Sequence, residues 1–61
     1  MTITAEMVVD AIMAYNHWDD ALGAPLADLR AEAARQVRSG EGMARDMKRA
    51  LIAAVSHPAA A

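Results

Sequence analysis

The sequence predicts an all-α protein: one small domain of three helices, a long helix followed by a helical hairpin, assembled with further copies as a helical homo-oligomer. Three observations carry this. Apolar side chains recur at helical spacing in three stretches, separated by Gly23-Ala24-Pro25 and by Ser39-Gly40-Glu41-Gly42. Sixteen alanines and no phenylalanine favour helices that approach one another closely over a bulky sheet core. Finally, 61 residues without a cysteine lie near the lower limit for one self-sufficient core. Leaving out Met1, the chain has seventeen large apolar side chains, few against the entropy of ordering it, and the lack of thiols removes disulfides and thiolate metal sites as supplements. Self-association is the supplement that remains.

The first helix is expected over residues 5–22, about 27 Å at 1.5 Å per residue. Thr4 is a good N-cap, because its hydroxyl can accept from an unpaired N–H of the first turn, and Glu6 suits the positive end of the helix dipole. Ile3 can close a hydrophobic staple onto Val8. At 100° per residue, Met7, Val8, Ala11, Ile12, Ala14, Tyr15, Trp18, Ala21 and Leu22 share one broad half, opposite Glu6, Asp10, His17 and Asp20. Tyr15 and Trp18 are then core residues with polar tips at the edge, and equally anchors for an interface. Val9 and Met13 fall outside this half, so this helix is expected to show a second apolar side to a partner.

The second helix is expected over residues 25–38, with Pro25 in the first turn, where its missing N–H would have been unpaired anyway. Leu26, Leu29, Ala33 and Val37 form its buried stripe, flanked by Ala27, Ala31 and Ala34. Gly40 and Gly42 supply the break. The third helix is expected over residues 43–56, burying Met43, Met47, Ala50, Leu51, Ala54 and Val55, with Pro58 stopping it and residues 57–61 fraying. Its outer side carries Arg45, Lys48 and Arg49 with Ile52 among them, and Glu41 stands one turn before Arg45 as its pair.

Charge is uneven along the chain. Residues 1–28 carry five carboxylates and no Lys or Arg, whereas residues 29–61 carry all six basic residues against three acidic ones, within a net charge of −2. The two halves can attract each other within one chain or between two. No basic segment followed by an apolar run opens the chain and no apolar run is long enough to cross a membrane, so a cytoplasmic protein is expected, with no membrane partner. Five Arg against one Lys, with so much Ala, suggest a GC-rich bacterial or phage genome.

Residues with chemical potential are few. Glu6, Asp10, Met13, His17 and Asp20 line one stripe of the first helix, and carboxylates with imidazole can hold iron, zinc or manganese. The Glu-x-x-His arrangement of di-iron bundles does not occur, so a solvated acidic face is the expectation, with no metal and no cofactor. Ser39 lies in a turn and Ser56 at a helix end beside His57, with neither an orienting carboxylate nor an oxyanion loop. The Ser39–Gly42 turn lacks the Lys and the preceding strand of a phosphate loop. A non-enzyme is therefore expected.

Two functional expectations follow. The first is a small interaction or regulatory protein that forms a homodimer and binds a partner protein through Val9, Met13, Tyr15, Trp18 and Ile52. The second is a DNA-binding regulator that uses Arg35, Arg38, Arg45, Lys48 and Arg49 on its second and third helices. Glu41 between two glycines, the scarcity of base-reading side chains and the lack of an aromatic in this half weigh against the second, and favour an acidic protein surface as the patch's partner.

Overall fold

The first helix begins where its capping residue says it should. In the computed structural model, which describes residues 2–56, Thr4 has extended backbone and its hydroxyl accepts from the Met7 N–H at 3.2 Å. Helix α1 spans Ala5–Tyr15 and stops well short of Leu22. The helix ends at Asn16, whose backbone N–H and side-chain amide both donate to the Ile12 carbonyl, at 3.1 and 2.9 Å, and His17 then leaves the helical path with a left-handed φ of 58°. A 3-10 turn, Trp18–Asp20, follows. The expected long helix is thus the shortest of the three, and α2, Gly23–Ser39, is the longest. Helix α3 spans Ala44–Ser56. Among the described residues all regular structure is helical, and no helix is long and apolar enough to cross a membrane. The tail expected to fray lies outside the described residues.

The early end of α1 also changes which face it buries. Val8, Val9, Ile12 and Met13 are all buried. Their i, i+1, i+4, i+5 spacing confines them to an arc of about 140° at 100° per residue. The face expected from sequence leaned on Trp18, Ala21 and Leu22, which no longer belong to the helix. Without them the stripe turns toward Val9 and Met13. Tyr15, expected in the core, is 66% exposed, and Leu22 is 82% exposed. Trp18 is half-buried against the core from the 3-10 turn. The second apolar side expected of Val9 and Met13 is therefore the core itself, and their expected part in a partner interface lapses with their exposure.

Helix α1 is the middle element: α2 and α3 both pack on it, and touch each other less than either touches α1. The contact on α2 is the expected one, with Ala33 fully buried and Leu26, Leu29 and Val37 half-buried beside it. On α3 the buried residue is Ala44, flanked by half-buried Met43, Met47, Leu51 and Val55, while Ala50 and Ala54 are exposed. Each later helix thus has one buried alanine, where the absence of a longer side chain permits close approach. Ile12 is the one large side chain buried completely among the described residues.

The link between α2 and α3 depends on backbone shape. Gly40, at φ 72°, ends α2 and returns its N–H to the Gln36 carbonyl at 2.8 Å. Gly42 is also left-handed, and a Cβ there would lie 2.6 Å from Gln36 Oε1. At the far end of α1, Asn16 donates to Met43 Sδ at 3.4 Å, so the residue that terminates the first helix also touches the start of the third.

Candidate functional site

Two kinds of charged surface flank α1. On the α2 side, Arg30 reaches across to Glu6 and, at 2.9 Å, to Asp10. These carboxylates are the i−3 neighbours of Val9 and Met13, so the ion pairs lie on the side of α1 that carries those two buried residues. Donating to the Asp10 carboxylate and then to that of Glu6 raises the guanidinium's pKa above its ordinary value. Part of the attraction between acidic and basic halves is accordingly met within one chain.

Arg35 is held as firmly, but locally. It forks onto Glu32 through Nε at 2.9 Å and Nη2 at 2.8 Å, and Nη1 meets Glu41 at 2.8 Å. The hydrogen bond from Arg35, seconded by Gln36 Nε2 at 3.0 Å, holds the Glu32 carboxyl down at about 2. Glu41 was expected on Arg45. It lies before α3 begins, so the one-turn spacing does not apply, and the turn at Gly40 carries it back to Arg35 instead. Two carboxylates occupy Arg35, which removes it from the basic patch. Gln36 Oε1 is left buried without a hydrogen-bond partner among the described residues.

The α3 side differs. Arg38, Arg45, Lys48 and Arg49 are exposed and make no ion pair among the described residues. Arg45 and Lys48 line a groove of about 320 Å³ between the start of α1, the end of α2 and α3. Its apolar wall comes from Ile3, Val8, Val37 and Ala44. Val8 and Ala44 are buried, Ile3 and Val37 half-buried, so the two exposed cations stand at the edge of a concave apolar surface. Ile52, 45% exposed, follows Lys48 by one turn on the same side of α3.

The residues named from sequence are therefore divided rather than gathered. Val9 and Met13 are in the core; Tyr15 and Trp18 lie at the end of α1; Ile52, Arg45 and Lys48 lie along one strip of α3. The sequence reading missed the groove, because Ile3, Val37 and Ala44 meet only through tertiary packing. It also missed Arg30, whose partners are 20 and 24 residues away. The stripe from Glu6 to Asp20 does not exist as a stripe: Arg30 takes Glu6 and Asp10, Met13 is buried, and the helix ends before His17 and Asp20. Among the described residues no three His, Cys, Asp or Glu side chains stand where they could hold one metal ion. The Ser39 hydroxyl donates to the Arg35 carbonyl at 3.0 Å as part of the α2 C-terminus. No family model, no curated protein and no solved structure matches the chain.

Proposed function

We propose that this is a small non-enzymatic protein that acts by binding other protein chains, and that the groove between α1, α2 and α3 receives an apolar segment bearing negative charge. One observation carries the reading: Arg45 and Lys48 have no ion-pair partner among the described residues and stand beside an apolar concavity, while Arg30 and Arg35 are each held by two carboxylates. Cations at such an edge select orientation and charge, and the apolar wall supplies the burial. A groove of about 320 Å³ is near the small end of binding clefts, which suits one or two inserted side chains. Selection from a displayed random-peptide library tests this. Enriched peptides should combine Asp or Glu with a large apolar residue, and should lose at least tenfold in affinity for Arg45→Glu/Lys48→Glu. Recovery of neutral or basic peptides, or binding indifferent to the double substitution, would overturn it.

A DNA-binding reading is favoured by one specific feature, the four exposed cations Arg38, Arg45, Lys48 and Arg49. Asp46 stands among them on α3, and Arg35 is neutralised. Duplex titration decides between the readings: four phosphate contacts would make log K fall with log salt at a slope of about −3.6.

A further inference from the structure

The turn after α1 is the counterpart of the groove. Asp19 and Asp20 are exposed there and make no ion pair among the described residues. Leu22 follows at 82% exposure, and Tyr15 precedes them at 66%. The segment is held in shape. Asp20 N–H donates to the His17 carbonyl at 3.4 Å, Ala21 N–H to the Trp18 carbonyl at 3.2 Å, and Trp18 packs against the core. The hydrogen-bonded turn fixes the backbone that carries the two carboxylates, so that part of the segment loses little conformational freedom on docking, and Leu22 protrudes directly after it.

We infer that the groove is filled by a second copy of this chain, which inserts Leu22 against Ile3, Val8, Val37 and Ala44 and sets Asp19 and Asp20 against Arg45 and Lys48. This rests on the reading of the groove as a protein-binding site and names its occupant. The match is in charge number as well as sign, two carboxylates to two cations, and in shape, a projecting leucine to an apolar concavity. A molecule cannot satisfy its own groove. None of Tyr15–Leu22 lines it, and α1, about 16 Å long at 1.5 Å per residue, separates the segment that opens the groove from the turn. The contact joins two different patches, so two copies either exchange turns reciprocally or add head to tail.

Sedimentation equilibrium from roughly 1 µM to 1 mM, a range that spans about 4 kcal/mol of affinity, tests the inference on three chains. The wild type should rise to at least twice the monomer mass. Arg45→Glu/Lys48→Glu sets an acidic groove against acidic turns, Asp19→Lys/Asp20→Lys sets basic turns against a basic groove, and each alone should remain monomeric. An equimolar mixture should associate again, since each variant's turn then faces a groove of opposite sign. Circular dichroism checks that both variants keep their helices, and Asp19→Asn/Asp20→Asn, the milder change, should weaken association at least tenfold. A wild type that stays monomeric at the highest concentration overturns the inference, as does association by either charge-reversed variant alone, or no association in the mixture of folded variants. If the wild type is monomeric while selected acidic–apolar peptides still bind the groove, the occupant is wrong and the binding site stands. If neither copies nor peptides bind, both fail.

Discussion

On one flank of α1, the side that carries buried Val9 and Met13, Arg30 has both of its carboxylate partners in the same chain; on the other, Arg45 and Lys48 stand open beside a groove walled by Val8. Both flanks bury apolar residues next to cations. They differ in whether the chain supplies the counter-charge, and the difference follows from the distribution of acidic residues. Glu6 and Asp10 are on the α2 side of α1, and Glu32 and Glu41 bracket Arg35, so Arg30 and Arg35 of α2 take two carboxylates each. Asp19 and Asp20 in the turn beyond α1 make no ion pair among the described residues, nor do Asp28 on α2 and Asp46 on α3, and the turn is where two such carboxylates stand side by side with no cation between them. A charge surplus of opposite sign at two places on one small molecule is a reason to look outward for the partner.

The largest expected effect breaks the packing of both flanks and compares them. Met13→Ala removes a 2% exposed side chain from the closed flank and should cost about 2–5 kcal/mol, enough to unfold much of so small a domain at 25 °C. Val8→Ala, equally buried but against the groove, deletes two methyl groups and should cost about 2 kcal/mol. Urea denaturation measures both. If Val8→Ala proved the costlier, the groove flank would be the tighter one and the contrast drawn between them would fail.

An intermediate effect concerns the turn that aims α3 along the groove. Gly40→Ala puts a Cβ into open space, so it reports left-handed backbone strain alone, about 1–2 kcal/mol. At Gly42 the same strain is joined by a clash with Gln36, whose amide also holds Glu32. Gly42→Ala should therefore destabilise more than Gly40→Ala, and should shift the Glu32 carboxyl resonance while Gly40→Ala leaves it in place. Equal destabilisation with no change at Glu32 would show that the Gln36 side chain moves aside freely.

The parts legible in the sequence were those with local causes. Thr4 caps α1, Ile3 and Val8 line one groove, Gly40 ends α2, and Leu26, Leu29, Ala33 and Val37 face inward, each for a reason contained within a single helix and its caps. The end of α1 was also written locally, in Asn16-His17, a pair suited to capping and to left-handed backbone, but the apolar periodicity through Trp18 and Leu22 outweighed it. Once that end is misplaced, the buried face turns with it, which is why Val9 and Met13 changed sides. The candidate site was less legible. Arg45, Lys48 and Ile52 could be named, but the groove depends on Val37 and Ala44 meeting Ile3 and Val8. Whether a given arginine is free or occupied depends on contacts such as Arg30 with Glu6.

The smallest expected effect distinguishes the flanks by pH. Glu32 is held at about 2 in the folded chain against an ordinary value of 4.5, because Arg35 and then Gln36 donate to its carboxylate. A depressed carboxyl contributes stability that is fully present above about pH 4.5 and is lost as pH falls toward about 2, since the unfolded chain takes up the proton first. Both side chains are substantially exposed, so the contribution is small and screened by salt. Urea midpoints for the wild type and Glu32→Gln should differ by a constant amount at neutral pH and converge between about pH 4.5 and 2. The other carboxylates are common to both chains and drop out of the difference. Arg45→Gln/Lys48→Gln should leave that convergence unchanged, because on the α3 flank the cations have no carboxylate partner among the described residues to titrate. A convergence lost in the α3 variant would couple the flanks electrostatically, and the groove would then have to be treated as part of the Arg35 network.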